Sequence, residues 1–164
     1  MTKAGISLDI PGFGSRHITT ILTDYTGTLS CGGQLSAGVG ELLCKLAECV
    51  DIQVITADTY GFVENELKSL PVTIRRLTGD DIEGQKQAHG NRVNLQHCVV
   101  LGNGNNDRLL LKATKEAGGI AIAVDNGEGC ATDALLNSNV FIAGAMNALK
   151  LLLVRKGLVA TLRF

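Results

Sequence analysis

Short unbroken runs of Val, Ile and Leu recur along this chain: IQVIT at 52–56, HCVVLG at 97–102, GIAIAV at 119–124 and VFIA at 140–143. A strand with one wet face alternates apolar and polar residues. A run without alternation is buried on both faces, which demands a parallel sheet with helices on each side. Helical segments lie between the runs. Residues 37–50 place Val39, Leu42, Leu43, Leu46, Ala47 and Val50 on one helical face, with Ser36 as the expected N-cap. Further helices are expected over 60–69, 80–92, 106–117, 128–137 and 145–155, with VTIRRL (72–77) as a strand between the first two.

The expected fold is therefore a single-domain, doubly wound α/β structure of the Rossmann-like kind, spanning 1–164. The start departs from the alternation. ISLDI, PGFGSR and HITTILTD read as strand, turn and strand, an N-terminal β-hairpin. The tail LVATLRF reads as a last strand.

The 164 residues suit one domain. They are 45% hydrophobic and 19% charged, enough apolar surface for a core. A net charge of −1 carries no basic excess and argues against nucleic acid as a partner. No stretch approaches the ~18 apolar residues of a bilayer span. Residues 1–15 hold Asp9, Pro11 and three glycines, unlike a secretory signal. The five cysteines, at 31, 44, 49, 98 and 130, form no C-x-x-C pair and have no histidine at zinc-ligand spacing. These features lead to an expectation of a cytoplasmic protein. His17, His89 and His97 have no patterned acid or nucleophile around them and read as structural or surface residues.

Ligands of open α/β sheets bind beyond the carboxyl ends of the strands. After TTILT comes Asp24, followed by Tyr25-Thr26-Gly27-Thr28. IQVIT ends on Thr56, and HCVVLG runs into Asn103-Gly104-Asn105-Asn106-Asp107, with Lys86 between them in sequence. A carboxylate can attack phosphorus and form an aspartyl-phosphate. A divalent cation with oxygen ligands lowers the repulsion between two anions, and Mg²⁺ suits that role. Amides of a Gly-containing turn, a hydroxyl and an ammonium can hold the remaining phosphate oxygens. Singly, each residue has a plainer reading. Asp24 could be a turn residue, Thr56 a strand end, and Lys86 a solvated helix residue with Lys68 or Lys112 in competition. Asp58 could serve only to cap a helix at Thr59.

Asp24-Tyr25-Thr26-Gly27-Thr28-Leu29, Thr56, Lys86 and GNGNND (102–107) together resemble, in order, the four motifs of the haloacid dehalogenase-like phosphohydrolases. Within that superfamily the chain looks like the capless, soluble P-type-ATPase-like group. D-x-T-G-T-L is similar to the phosphorylation loop of the P-type pumps, and VITADTYG and LVATLR resemble the soluble group. The resemblance implies Asp24 as nucleophile and Mg²⁺ on Asp24 and the Thr26 carbonyl, with Asn103 and Asp107 in the metal set. It implies phosphate on Thr56, Lys86 and the Gly27 turn, with Asn106 in support.

Two positions depart from the family pattern. Thr26 stands where most members carry a second Asp, the general acid/base, whose help is typically worth about 10²–10⁴-fold. Asn103 stands where the loop's first Asp ligates Mg²⁺, and an amide oxygen brings no charge. The expectation is a Mg²⁺-dependent phosphatase with slow turnover on a phosphorylated small molecule or macromolecule. The alternatives are a phosphoacceptor or binding module that turns over little, and a non-catalytic relative. One turn and helix separate Thr28 from Thr56, and one helix and strand separate Thr56 from Lys86. Neither interval holds a cap or a nucleotide-binding domain, so the chain is not expected to be an ion pump. An open site takes a bulky substrate or is covered by a second copy, for which the hairpin and the tail are the available contact segments.

Overall fold

The computed structural model describes residues 2–164. The chain opens with an antiparallel hairpin, β1 (Ile6–Ile10) and β2 (Gly14–Ile18), in the register Ile6↔Ile18 to Ile10↔Gly14. The expected second hairpin strand is in fact two strands. β2 ends at Ile18, and β3 (Thr20–Thr23) joins a different sheet. The apolar side of β1 explains the division: Ile6, Leu8 and Ile10 are buried while Ser7 and Asp9 are exposed. An alternating ribbon covers a core on one face only, whereas β3 is buried inside the main sheet.

A short antiparallel flap follows, β4 (Ser30–Cys31) and β5 (Gln34–Leu35), and then α1 (Val39–Ala47). The α1 N-cap is Gly38, at φ 81°, rather than Ser36. A left-handed φ suits glycine, and the Ser36 hydroxyl instead accepts from the Asn126 amide at 2.8 Å. The alternation continues through β6 (Asp51–Thr56), α2 (Val63–Leu67), β7 (Thr73–Arg76), α3 (Ile82–Gly90), β8 (Cys98–Gly102), α4 (Arg108–Glu116), β9 (Ile120–Asp125), α5 (Thr132–Leu136), β10 (Val140–Ala143) and α6 (Ala145–Leu153). The tail, expected as a strand, is the helix α7 (Arg155–Leu162). Its Leu158 and Leu162 are buried four residues apart, a helical repeat that places both against the hairpin and α6.

Six strands form the main sheet in the order β10-β9-β8-β3-β6-β7, every pairing parallel. One core lies beneath α1, α6, α7 and the hairpin, and includes Ile21, Val54, Val99 and Ile122. The other holds Leu22, Ile55, Val100 and Ala121 with Leu110 and Leu111 of α4 and Ala134 of α5. Neighbouring residues on one strand thus serve opposite cores, the physical content of the unbroken apolar runs. Among the described residues there is no cap domain, and no helix is long and apolar enough to cross a membrane.

From β3 the chain winds outward through β6 to β7, then returns to the other side of β3 as β8. The switch point lies between the carboxyl ends of β3 and β8, where an open sheet leaves a crevice.

Candidate active site

The loops at that switch point carry Asp24 and Asn103–Asp107. The Asp24 amide donates to the Leu101 carbonyl at 3.0 Å, which fixes the first residue beyond β3 against β8. The next turn folds around one acceptor. The Tyr25 carbonyl receives the amides of Thr28, Leu29 and Ser30 at 3.2, 2.9 and 3.1 Å, and the Ser30 hydroxyl at 3.1 Å. Gly27 sits at φ 74°, and a Cβ there would collide with the Asn103 side chain. Glycine is required on both counts.

Lys86 is 1% exposed and projects from α3 into the crevice. Its Nζ stands 3.0 Å from Asp24 Oδ1 and 2.7 Å from Asp107 Oδ1, and donates to Asn106 Oδ1 at 3.1 Å. The competing lysines lie elsewhere: exposed Lys68 bonds Asn65, and exposed Lys112 faces Glu116. One ammonium therefore serves two buried carboxylates. Burial pushes the Asp24 carboxyl up to about 6; Lys86 opposes that shift and Asp107 adds to it. Burial alone would push Lys86 down, but the charges of Asp107 and Asp24 hold it above the ordinary lysine range.

Asp107 is almost fully engaged. Its Oδ2 accepts from the Asn103 and Gly104 amides, both at 3.0 Å, while Oδ1 accepts from the Lys86 ammonium at 2.7 Å. Asn103 is also tied down: Oδ1 accepts from the buried Thr28 hydroxyl at 3.2 Å, and Nδ2 donates to the Gly129 carbonyl at 3.2 Å. Thr26 contrasts with both, because its Oγ1 is buried with no hydrogen-bond partner. Such orphans are uncommon.

Thr56 is 1% exposed at the end of β6. Its hydroxyl accepts from the Asp58 amide at 2.9 Å, which leaves its own proton to donate. Asp58 itself, at φ 51°, accepts from the Phe62 and Val63 amides at 3.0 and 3.1 Å and pairs with Arg76. It caps α2 rather than a helix beginning at Thr59. Burial acts to raise the Asp58 carboxyl, but the Arg76 guanidinium and the two amides together hold it below the usual range. Arg76 and Tyr25 were not singled out by sequence reasoning. Arg76 carries a readable signal, lying at the end of a strand; the Tyr25 hydroxyl, which donates to the Gly33 carbonyl at 2.8 Å and pins the flap, carries none.

The donor set bears on a divalent cation. Asp24 and Asp107 with Lys86 leave the buried cluster one negative charge in excess, and Asp24 keeps an oxygen that Lys86 does not contact. Among the described residues no three His, Cys, Asp or Glu side chains are grouped to hold a metal. One carboxylate with carbonyl and amide oxygens fits Mg²⁺ that retains most of its water, and fits no ion needing a full protein cage.

By sequence the chain matches no protein-family model and no curated protein. By structure it is similar to the 3-deoxy-D-manno-octulosonate 8-phosphate phosphatase of Moraxella catarrhalis, solved with magnesium, phosphate and KDO. The TM-score is 0.65 at 19% identity, over 87% of this chain and 90% of that one. The cobalt-bound deoxy-D-mannose-octulosonate 8-phosphate phosphatase of Haemophilus influenzae gives 0.65 at 13% identity, over 85% and 90%. A haloacid dehalogenase-like family hydrolase of Streptococcus pneumoniae gives 0.55 at 15%, over 81% and 97%. At these identities the likeness is one of fold: the chain has the α/β fold of the haloacid dehalogenase-type hydrolases.

Proposed function

We propose that the protein is a Mg²⁺-dependent phosphohydrolase acting through an aspartyl-phosphate on Asp24. The observation that carries this reading is the placement of Asp24 at the switch point, 3.0 Å from a buried lysine. Asp24 attacks phosphorus and the leaving oxygen departs with the bonding electron pair, taking a proton from water. Water then attacks the phosphoryl group, releases inorganic phosphate and restores the carboxylate. Lys86 and the Thr56 hydroxyl bind phosphoryl oxygens and offset their growing charge. Asp24, the Thr26 carbonyl and Asn103 Oδ1 would hold Mg²⁺, with Asp107 contributing through water. Bound there, the ion screens nucleophile from phosphate and polarises the phosphoryl group. Asn106 and Asp107 position Lys86.

Thr26 cannot act as a carboxylic acid, so the leaving group must depart without strong protonation. Acyl phosphates and anhydrides are the favoured substrates, and simple alkyl esters the poor ones. The M. catarrhalis phosphatase, solved with magnesium and phosphate, supports the metal and the reaction class. Placement in the soluble P-type-ATPase-like group rests on DYTGTL, VITADTYG and LVATLR.

Thr26 and Asn103 in place of acids favour a second reading, in which phospho-Asp24 persists and the protein is a phosphoacceptor. Acetyl phosphate with Mg²⁺ separates the two. Steady phosphate release supports the phosphatase, and a hydroxylamine-labile phosphoprotein without release supports the acceptor.

A further inference from the structure

Strand β7 is one of the two edge strands of the main sheet, and beside it α3 leaves a cavity of about 650 Å³. Its polar lining is Arg75 and Arg76 from β7, Gln53 from β6, Gln85 and His89 one turn apart on α3, and Arg92 just past that helix. No carboxylate lines it. In a chain of net charge −1, Arg75 and Arg92 at one opening are a local concentration of positive charge. Arg76 is already paired with Asp58, but Arg75 and Arg92 have no ion pair among the described residues.

The charges converge on one group. His89 Nε2 lies 2.7 Å from Gln53 Oε1, which orients the ring at the wall of the cavity. Burial depresses the His89 pKa first, and the Arg75 and Arg92 charges depress it further. Arginine on an edge strand also discourages pairing with another sheet. That accounts for Arg75 and Arg76, but not for Arg92 and His89, which come from the opposite wall. The cavity lies within the size range of small-ligand sites. Guanidinium groups are planar forks that match carboxylate and phosphate oxygens two at a time.

We propose that the cleft between β7 and α3 is a binding site, separate from the Asp24 crevice, for a small organic anion with at least two acidic groups bridging Arg75 and Arg92. Phosphate and carboxylate share the chemistry, so both are tested. The full chain, in Mg²⁺-free buffer, is titrated with inorganic pyrophosphate and, separately, with citrate. The His89 imidazole resonances are followed by NMR.

A saturable shift of the His89 resonances is expected with at least one probe, weakening as salt is raised. Arg75→Ala/Arg92→Ala should weaken it about tenfold or more, with Asp24-dependent phosphate release unchanged. If the double variant does not fold, Arg92→Gln alone should still weaken binding. Pyrophosphate alone acting identifies a phosphate ligand, and citrate alone a carboxylate ligand. No saturable shift with either probe, or a shift that survives loss of both arginines, overturns the proposal. The readout does not pass through Asp24, so the phosphatase reading stands or falls separately.

Discussion

Lys86 Nζ stands between two buried carboxylates, 3.0 Å from Asp24 and 2.7 Å from Asp107. Removing it leaves two like charges in a largely buried cluster. Lys86→Met should therefore destabilise the fold by about 3–5 kcal/mol, a fall in Tm on the order of 10 °C for a chain of this size. The loss should be larger at pH 8 than at pH 5, because protonation relieves the repulsion. Adding Asp24→Asn to Lys86→Met should recover part of the Tm. Thermal melts of the three variants at both pH values check this.

Thr26 has a hydroxyl with no partner, so its removal should cost no stability. Thr26→Val replaces that buried, unpaired hydroxyl with a methyl and is expected to be as stable as wild type or up to about 1 kcal/mol more so. Thr26→Asp should raise phosphate release from an alkyl phosphate by at least about tenfold, toward the range of general acid–base help. The same variant should change release from acetyl phosphate less, because that leaving group needs less protonation. Parallel kinetics on the two substrates test the assignment of slow turnover to position 26.

Side chains from outside the flap tie it down, among them Tyr25 and Glu66, whose carboxylate accepts from the Leu35 amide at 3.0 Å. Tyr25 is fully buried, and its hydroxyl donates to the Gly33 carbonyl at 2.8 Å. Tyr25→Phe should cost about 1 kcal/mol and speed amide exchange in 30–35 before it speeds exchange in β3 or β8. Hydrogen exchange resolved by residue reads both effects.

His89 gives an acid-side signature. Its folded pKa lies below the ordinary 6.5, because burial and then Arg75 and Arg92 disfavour the charged ring. The unfolded chain therefore binds the proton more readily as pH falls through 6.5. Stability should be full above that value and decline below it. His89→Gln should flatten the decline in urea midpoints between pH 7.5 and pH 5.5, and high salt should flatten only the share owed to Arg75 and Arg92 in the wild type.

The sheet was legible because Val, Ile and Leu runs without alternation leave few alternatives. The strand-end residues were legible because the crevice of such a sheet lies at a known place. Strand-end positions and the family resemblance pointed to Asp24, Thr56, Lys86 and the 103–107 loop, and the fold brings Lys86 to Asp24 and Asp107. The misread elements were those that local pattern does not decide. LVATLRF is short and apolar enough for either a strand or a helix, and packing of Leu158 and Leu162 against the hairpin selects the helix. HITTILTD hides a change of sheet at Thr19, where the backbone leaves the hairpin and its amide bonds His97 instead. The occupation of Asp107 by two amides and Lys86 was hidden for a different reason. It depends on how the loop folds back, which residue types alone do not encode.

The central claim is that Asp24 is the nucleophile, and its amide variant tests it most directly. Asp24→Asn keeps the side-chain shape and removes a charge that the fold holds against burial. The account predicts that wild type releases phosphate from acetyl phosphate only with Mg²⁺, and that Asp24→Asn releases none. It also predicts that the variant melts at the same temperature as wild type or higher at pH 8. Phosphate release by a folded Asp24→Asn protein at the wild-type rate would contradict the account.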